Sequence, residues 1–239
     1  MSQNLLFVKH GEEDGSKLPL GVRVNARGRK IDLVMMSRLP PPTIELVKAE
    51  GDKFDRESQL VEEALGQLSA RFPRNTETSH VLLKVLVLNK LYATQINDID
   101  VERVARHIAG LGIDSRLDAG SPDAVDLIAN VKIGDKVRNN FSFGTKYCSW
   151  HNPAAYAIYD SNVDACLWCY KKQDSFTTFA RQDLRYLGYP VFLRIVTAFR
   201  DVYGLKSFTF KQLDKFLWEK GPQAKELLKK RSERANAGS

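Results

Sequence analysis

The sequence predicts a mainly α-helical protein, and three observations carry that expectation. Between residues 56 and 218, apolar side chains recur at three- and four-residue spacing in several separate segments. Helix punctuation brackets those segments, with Asp, Ser and Pro at their starts and Gly or Pro beyond their ends. The 239 residues, 43% hydrophobic and 27% charged, are ordinary for a globular chain long enough to bury a sizeable core.

The first 50 residues differ from the rest and form an N-terminal segment of their own. Within LPLGVRVNARGRKIDLVMM, two short β-branched and aliphatic runs flank Asn25 to Gly28, the pattern of an extended segment or a β-hairpin. Leu39 to Thr43 contains three consecutive prolines, which a helix interior excludes, and reads as an extended connector. A helical domain is expected over residues 51–225, with a basic, frayed tail over 226–239.

Along the helical part, residues 56–71 place Leu60, Val61, Ala64, Leu65 and Leu68 on one amphipathic face, ending before Phe72 and Pro73. Residues 79–96 are apolar almost all round, as for a spine helix buried on most sides. Asp100 is expected to cap a helix carrying Val101, Val104, Ala105, Ile108 and Leu111, which stops at Gly112. Ser121, Pro122 and Asp123 form the next helix start. Helices are then expected over 140–150, 161–172, 190–203 and 209–218.

No apolar run is long enough to span a bilayer, and MSQNLLFVKHGEEDGSK lacks the form of a secretory signal. With only three cysteines, all between 148 and 169, the reading is a cytoplasmic protein without a disulfide framework or a membrane association. The net charge of +7 is uneven: residues 41–130 carry 10 basic and 15 acidic side chains, residues 131–239 carry 19 and 10. A basic half beside an acidic half suits an anionic partner such as nucleic acid, or no more than a solvated surface.

Chemistry concentrates between Phe141 and Tyr170, where eight of thirty residues are aromatic against 23 in the whole chain. Core burial accounts for most such rings, while a pocket for a flat base would use the same residue types, among them Tyr147, Trp150 and Tyr159. Two polar groups stand beside them. Lys146, in FSFGTKYCSW, is an amine that partial burial would make nucleophilic, and Asp160 precedes a helix start where a carboxylate can cap the helix or stabilise positive charge.

The stretch GTK with its helix, followed by an aromatic and aliphatic approach to Asp160 and a second helix, resembles the helix-hairpin-helix DNA glycosylases, most closely their 8-oxoguanine branch. The resemblance spans roughly residues 79–172 and implies a helical glycosylase-like bundle active in base excision and DNA repair, as hydrolase and lyase. It implies Lys146 as the Schiff-base nucleophile at sugar C1′ and Asp160 as its assistant. It also implies that the end of the buried helix, with Asn89, Tyr92, Thr94 and Gln95, approaches the gap in the DNA. Where the family carries a glycine-rich hairpin before its lysine, this chain reads NNFSFG and keeps only Gly144, and the fourteen positions from Lys146 to Asp160 are fewer than usual. This short form resembles the glycosylase-fold proteins of prokaryotic anti-phage loci.

On this reading Lys132, Lys136 and Arg138 are phosphate contacts, with Asn139 and Asn140 offering a helix start to a phosphate. Cys148, His151, Cys166 and Cys169 have spacings that match a tetrahedral zinc site on paper, but both pairs fall on expected helices, so no metal is expected. No phosphate-binding glycine motif and no cofactor are indicated. Three functions stay open: a glycosylase-like enzyme acting on a flipped nucleotide, a non-catalytic nucleic-acid or nucleotide binding module such as a phage-defence component, and a structural adaptor carrying the basic half to a protein partner.

Overall fold

A computed structural model describes residues 38–237 together with the paired segments Arg23–Val24 and Lys30–Ile31. The chain divides into two compact units, residues 1–37 and 38–239. In the first, β1 (Arg23–Val24) pairs antiparallel with β2 (Lys30–Ile31), so two ladder segments lie where the sequence suggested a hairpin; the expected turn at Asn25 to Gly28 lies outside the described residues.

The second unit is helical, as expected. After the prolines, Thr43 caps α1 (Ile44–Arg71) by accepting the Leu46 N–H at 3.2 Å. The helix thus starts twelve residues before the expected position, with Val47 of its first turn already buried. α2 (Thr78–Tyr92) buries Val81, Lys84, Val85 and Leu88 but leaves Leu83, Leu86 and Leu91 exposed, so it is not the all-round buried spine. α3 (Asp98–Gly110) is capped by Asn97, not Asp100. Asp100 is instead buried in the first turn, paired with Arg103 at 2.9 Å and Arg138 at 3.3 Å.

α4 (Asp114–Ala119) and α5 (Asp123–Ala129) lead into a hairpin the sequence reading missed, β3 (Asn130–Ile133) with β4 (Lys136–Asn139), turning at Gly134 with φ +61°. Then come α6 (Phe141–His151), α7 (Ser161–Asp174), α8 (Asp183–Tyr186), α9 (Tyr189–Val202) and α10 (Phe210–Ala237). α10 runs on through Pro222 to Ala237, with Ala224 and Leu227 buried and residues 232–234 exposed, so the expected basic tail forms the end of this helix.

α6 and α7 occupy the interior. From Phe141 to Ser149 only Ser142 is not fully buried. Gly144 allows α6 to touch α5, where an added Cβ would come 2.9 Å from the Val125 carbonyl. α7 packs against α10 through Cys166 and Cys169, whose thiols point to the Leu217 and Ala224 carbonyls. α1 and α10 are joined along their length by Lys53 to Glu219 at 2.5 Å and Lys211 to Glu62 at 3.0 Å, with Lys215 to Asp55 and Lys220 to Glu50. Among the described residues no helix is long and apolar enough to cross a membrane.

Candidate functional site

Lys146 and Asp160 meet because the two residues of the GTK stretch after its glycine grip the peptide of Tyr159. Thr145 Oγ1 accepts the Tyr159 N–H at 3.0 Å, and Lys146 Nζ donates to the Tyr159 carbonyl at 3.2 Å. The next residue, Asp160, is thereby fixed beside α6 as the cap of α7, its Oδ1 accepting the N–H groups of Asn162 and Val163 at 2.8 and 2.9 Å. Fourteen residues suffice because the return from α6 is a tight turn at Asn152 to Tyr156 followed by an extended run.

Both side chains line one cavity of about 320 Å³. Its remaining walls come from Phe54, Ser58, Val61 and Glu62 of α1, Leu91 to Ala93 at the end of α2, Ile158, and Lys211, Asp214, Lys215 and Trp218 of α10. Lys146 is 2% exposed, with Nζ also donating to Ser142 Oγ at 2.8 Å and lying 5.6 Å from the Tyr92 ring centre. Burial lowers its pKa, opposed by the charges of Asp160 and Asp214. Asp214 moves the other way, its pKa raised by burial first and by Asp160 second.

The aromatic walls are not those the composition pointed to. Phe141, Tyr147 and Tyr159 are core residues, Phe141 and Tyr159 with ring centres 5.2 Å apart. The rings that face the cavity are Phe54, Tyr92 and Trp218, with Phe54 and Trp218 edge to face at 5.5 Å. Trp150 stands behind them, donating from Nε1 to the Tyr92 hydroxyl at 3.0 Å, with Lys211 Nζ 3.7 Å from its ring centre. No local signal marks Phe54, Asp214 or Trp218, since each sits on a helix whose charges look like a solvated face.

The other expected contacts are dispersed. Asn89 is saturated within the α2–α3 corner, bonded to Thr94 Oγ1 and to both the N–H and carbonyl of Ile96. Gln95 has φ +63° and its carbonyl accepts from Arg138, whose guanidinium, 34% exposed, also pairs with Asp100. A wider groove of about 710 Å³ opens at this corner, with Leu86, Leu91 and Ile96 in its wall and no buried ionisable group. Lys132 and Lys136 are exposed on the β3–β4 hairpin. Asn139 bonds Asn130 at 2.9 Å, and Asn140 is 8% exposed, so the start of α6 is closed to a phosphate.

Cys148, His151, Cys166 and Cys169 do not assemble. Among the described residues no three His, Cys, Asp or Glu side chains are grouped as a metal requires, and all three thiols are buried and free. His151 belongs to a second buried-lysine site. There Lys84 Nζ donates to the carbonyls of Phe72 and Arg74, both at 3.1 Å, and to Asn75 Oδ1 at 2.5 Å, with His151 Nε2 at 3.4 Å. Tyr147 donates to the same Asn75 oxygen at 2.5 Å. With only about 10 Å³ of space beside it, this knot has no room for a ligand.

Burial and the Lys84 charge lower the pKa of His151 to about 4 from an ordinary 6.5. Between those values the unfolded chain binds a proton that the folded chain refuses, so stability rises with pH across the window. The expected gain from this residue is up to about 3 kcal/mol. Urea unfolding at about pH 4.5 and about pH 7 should show the rise in wild type and a flatter response in His151→Gln. Equal pH dependence in the two proteins would refute the assignment.

A family model described as an N-terminal domain, HI_0787_N, matches residues 44–155, from the start of α1 to just past α6. The match therefore includes Lys146 and ends before Asp160 and Asp214. No solved structure matches the chain. An uncharacterized protein of Haemophilus influenzae is 35% identical over 177 residues, covering 73% of this chain and 82% of that protein. That likeness, over most of both chains, makes this protein a member of the family of the uncharacterized Haemophilus influenzae protein.

Proposed function

We propose that this protein is a glycosylase-like enzyme of the helix-hairpin-helix type that draws a nucleotide out of a nucleic-acid strand and attacks its C1′ with Lys146. The observation that carries the reading is the convergence of the Lys146 amine and the Asp160 carboxylate in one cavity. Its volume of about 320 Å³ is sufficient for one base. Phe54, Tyr92 and Trp218 offer the ring faces on which a flipped base would stack, offsetting a few kcal/mol of lost stacking in the strand.

The chemistry follows from the surroundings of each group. A lysine whose pKa is lowered by burial spends more time as the neutral amine, the form that attacks carbon. Asp160 uses Oδ1 to cap α7, which leaves Oδ2 to stabilise positive charge growing at C1′. By contrast, Lys84 is shut in by three oxygen acceptors and serves packing. We place the activity in the cytoplasm, which the three free thiols support.

Borohydride reduction tests the proposal by converting an imine between protein and sugar into a stable amine. Wild type is expected to form a covalent adduct with a duplex oligonucleotide carrying an abasic site. Asp160→Asn should slow that adduct by roughly 10- to 100-fold while leaving binding and the α7 cap intact, because Asn caps about as well as Asp. If wild type binds DNA but forms no adduct, the protein is a binding module on this fold and the enzyme reading is wrong.

A further inference from the structure

Asp214 is a further ionisable group in the cavity, brought there by α10 from about seventy residues after Lys146. The residue is partly exposed as a whole, but its Oδ1 is closed to solvent and has no hydrogen-bond partner. An ionised carboxylate puts charge on an oxygen that is desolvated and unpaired, a cost that protonation reduces by removing the charge. The charged and titratable groups facing it are Glu62 of α1, Tyr92 of α2, Lys146 of α6, Asp160 at the cap of α7, and Lys211 and Lys215 of α10. Lys211 is paired with Glu62 and Lys215 with Asp55, and the pull of Lys146 and Lys211 toward the ionised form is outweighed by burial and by Asp160.

Lys146 and Asp214 line the same cavity, and burial drives both toward their uncharged forms. The uncharged pair holds as many protons as the ammonium–carboxylate pair. It presents a nucleophilic amine and a proton donor at once.

We infer that Asp214 is the acid of this site, giving its proton to the base as Lys146 displaces that base from C1′. The inference rests on the proposed attack by Lys146. In the step, the amine lone pair forms the N–C1′ bond and the glycosidic C1′–N bond breaks. Its electron pair goes to the base, which takes the Asp214 proton. The attached lysine nitrogen becomes positive as Asp214 becomes a carboxylate, so charge balances within the cavity, with Asp160 beside both.

An abasic sugar has no base to release, which separates the two roles. With full-length protein and two duplex probes, one carrying an abasic site and one carrying 8-oxoguanine, Asp214→Asn should trap the abasic sugar within roughly threefold of wild type. It should release the base at least roughly 100-fold more slowly. Base release by Asp214→Asn at the wild-type rate would overturn the inference while leaving Lys146 in place. Failure of wild type to trap the abasic sugar would instead defeat the proposed attack. If wild type traps the abasic sugar but releases no base from the second probe, infrared difference spectra at neutral pH decide. A protonated-carboxyl band present in wild type and missing from Asp214→Asn supports the inference, and no such band overturns it.

Discussion

Replacing Lys146 should abolish the borohydride adduct, with Lys146→Ala and Lys146→Met each falling by at least roughly 1,000-fold, because among the described residues no other amine faces the cavity without an ion-pair partner. Met keeps most of the volume of the side chain, so Lys146→Met should fold with a stability within about 1 kcal/mol of wild type. Removing a buried amine can be this mild because the Ser142 hydroxyl can turn to another partner and the Tyr159 carbonyl keeps Thr145 Oγ1 as a donor at 3.5 Å. Lys84→Met is the control with the opposite pattern. It strips the donor from two carbonyls and Asn75 Oδ1, and should cost about 3 kcal/mol in urea unfolding while leaving adduct formation by the folded fraction unchanged. An adduct that survives Lys146→Ala would assign the chemistry to another amine and remove the basis for the proposed mechanism.

The difference between the two lysines also shows what the sequence discloses. Lys146 and Asp160 were legible because their neighbours have local form: a GTK stretch on a helix and an aspartate one position before another helix start. Asp214 was not, since LDKFLW reads as an ordinary amphipathic turn and only the crossing of α10 over α7 brings it near Lys146. The aromatic density of residues 141–170 was read for a pocket and a core together, and burial assigns Phe141, Tyr147 and Tyr159 to the core. Two missed elements had signals. VKIGDKVR carries Gly-Asp between two β-prone triplets, yet its lysines drew attention as a basic patch. Thr43 after three prolines is a cap signal, and Ile44 and Val47 behind it stand at helical spacing. Apolarity misled at α2, because composition says how much surface is apolar and not which face a neighbour covers.

Gly221→Ala is expected to damage the fold and the site together. In an open helix this exchange gains about 1 kcal/mol from propensity. Here a Cβ would sit 2.2 Å from Asn162 Cβ and 2.3 Å from its Cγ, far inside the 3.5–4 Å of ordinary carbon contact. Because the nearest obstacle is a Cβ, a new rotamer of Asn162 cannot relieve the clash, and α10 must move away from α7. The thiols of Cys166 and Cys169, at 3.1 and 3.5 Å from α10 carbonyls, mark how closely the two helices fit on either side of that point. A net loss of about 2–4 kcal/mol is expected, read as a lower urea midpoint. The site should suffer as well, since the Asn162 N–H bonds Asp160 Oδ1 at 2.8 Å and moving the first turn of α7 moves the carboxylate. Adduct formation by the folded protein should therefore slow along with the stability loss. Asn162→Ala keeps the offending Cβ and should not rescue Gly221→Ala, whereas Asn162→Gly removes it and should restore part of both stability and rate. If Gly221→Ala is as stable as wild type and forms adduct at the same rate, the close crossing of α7 and α10 does not set the position of Asp160.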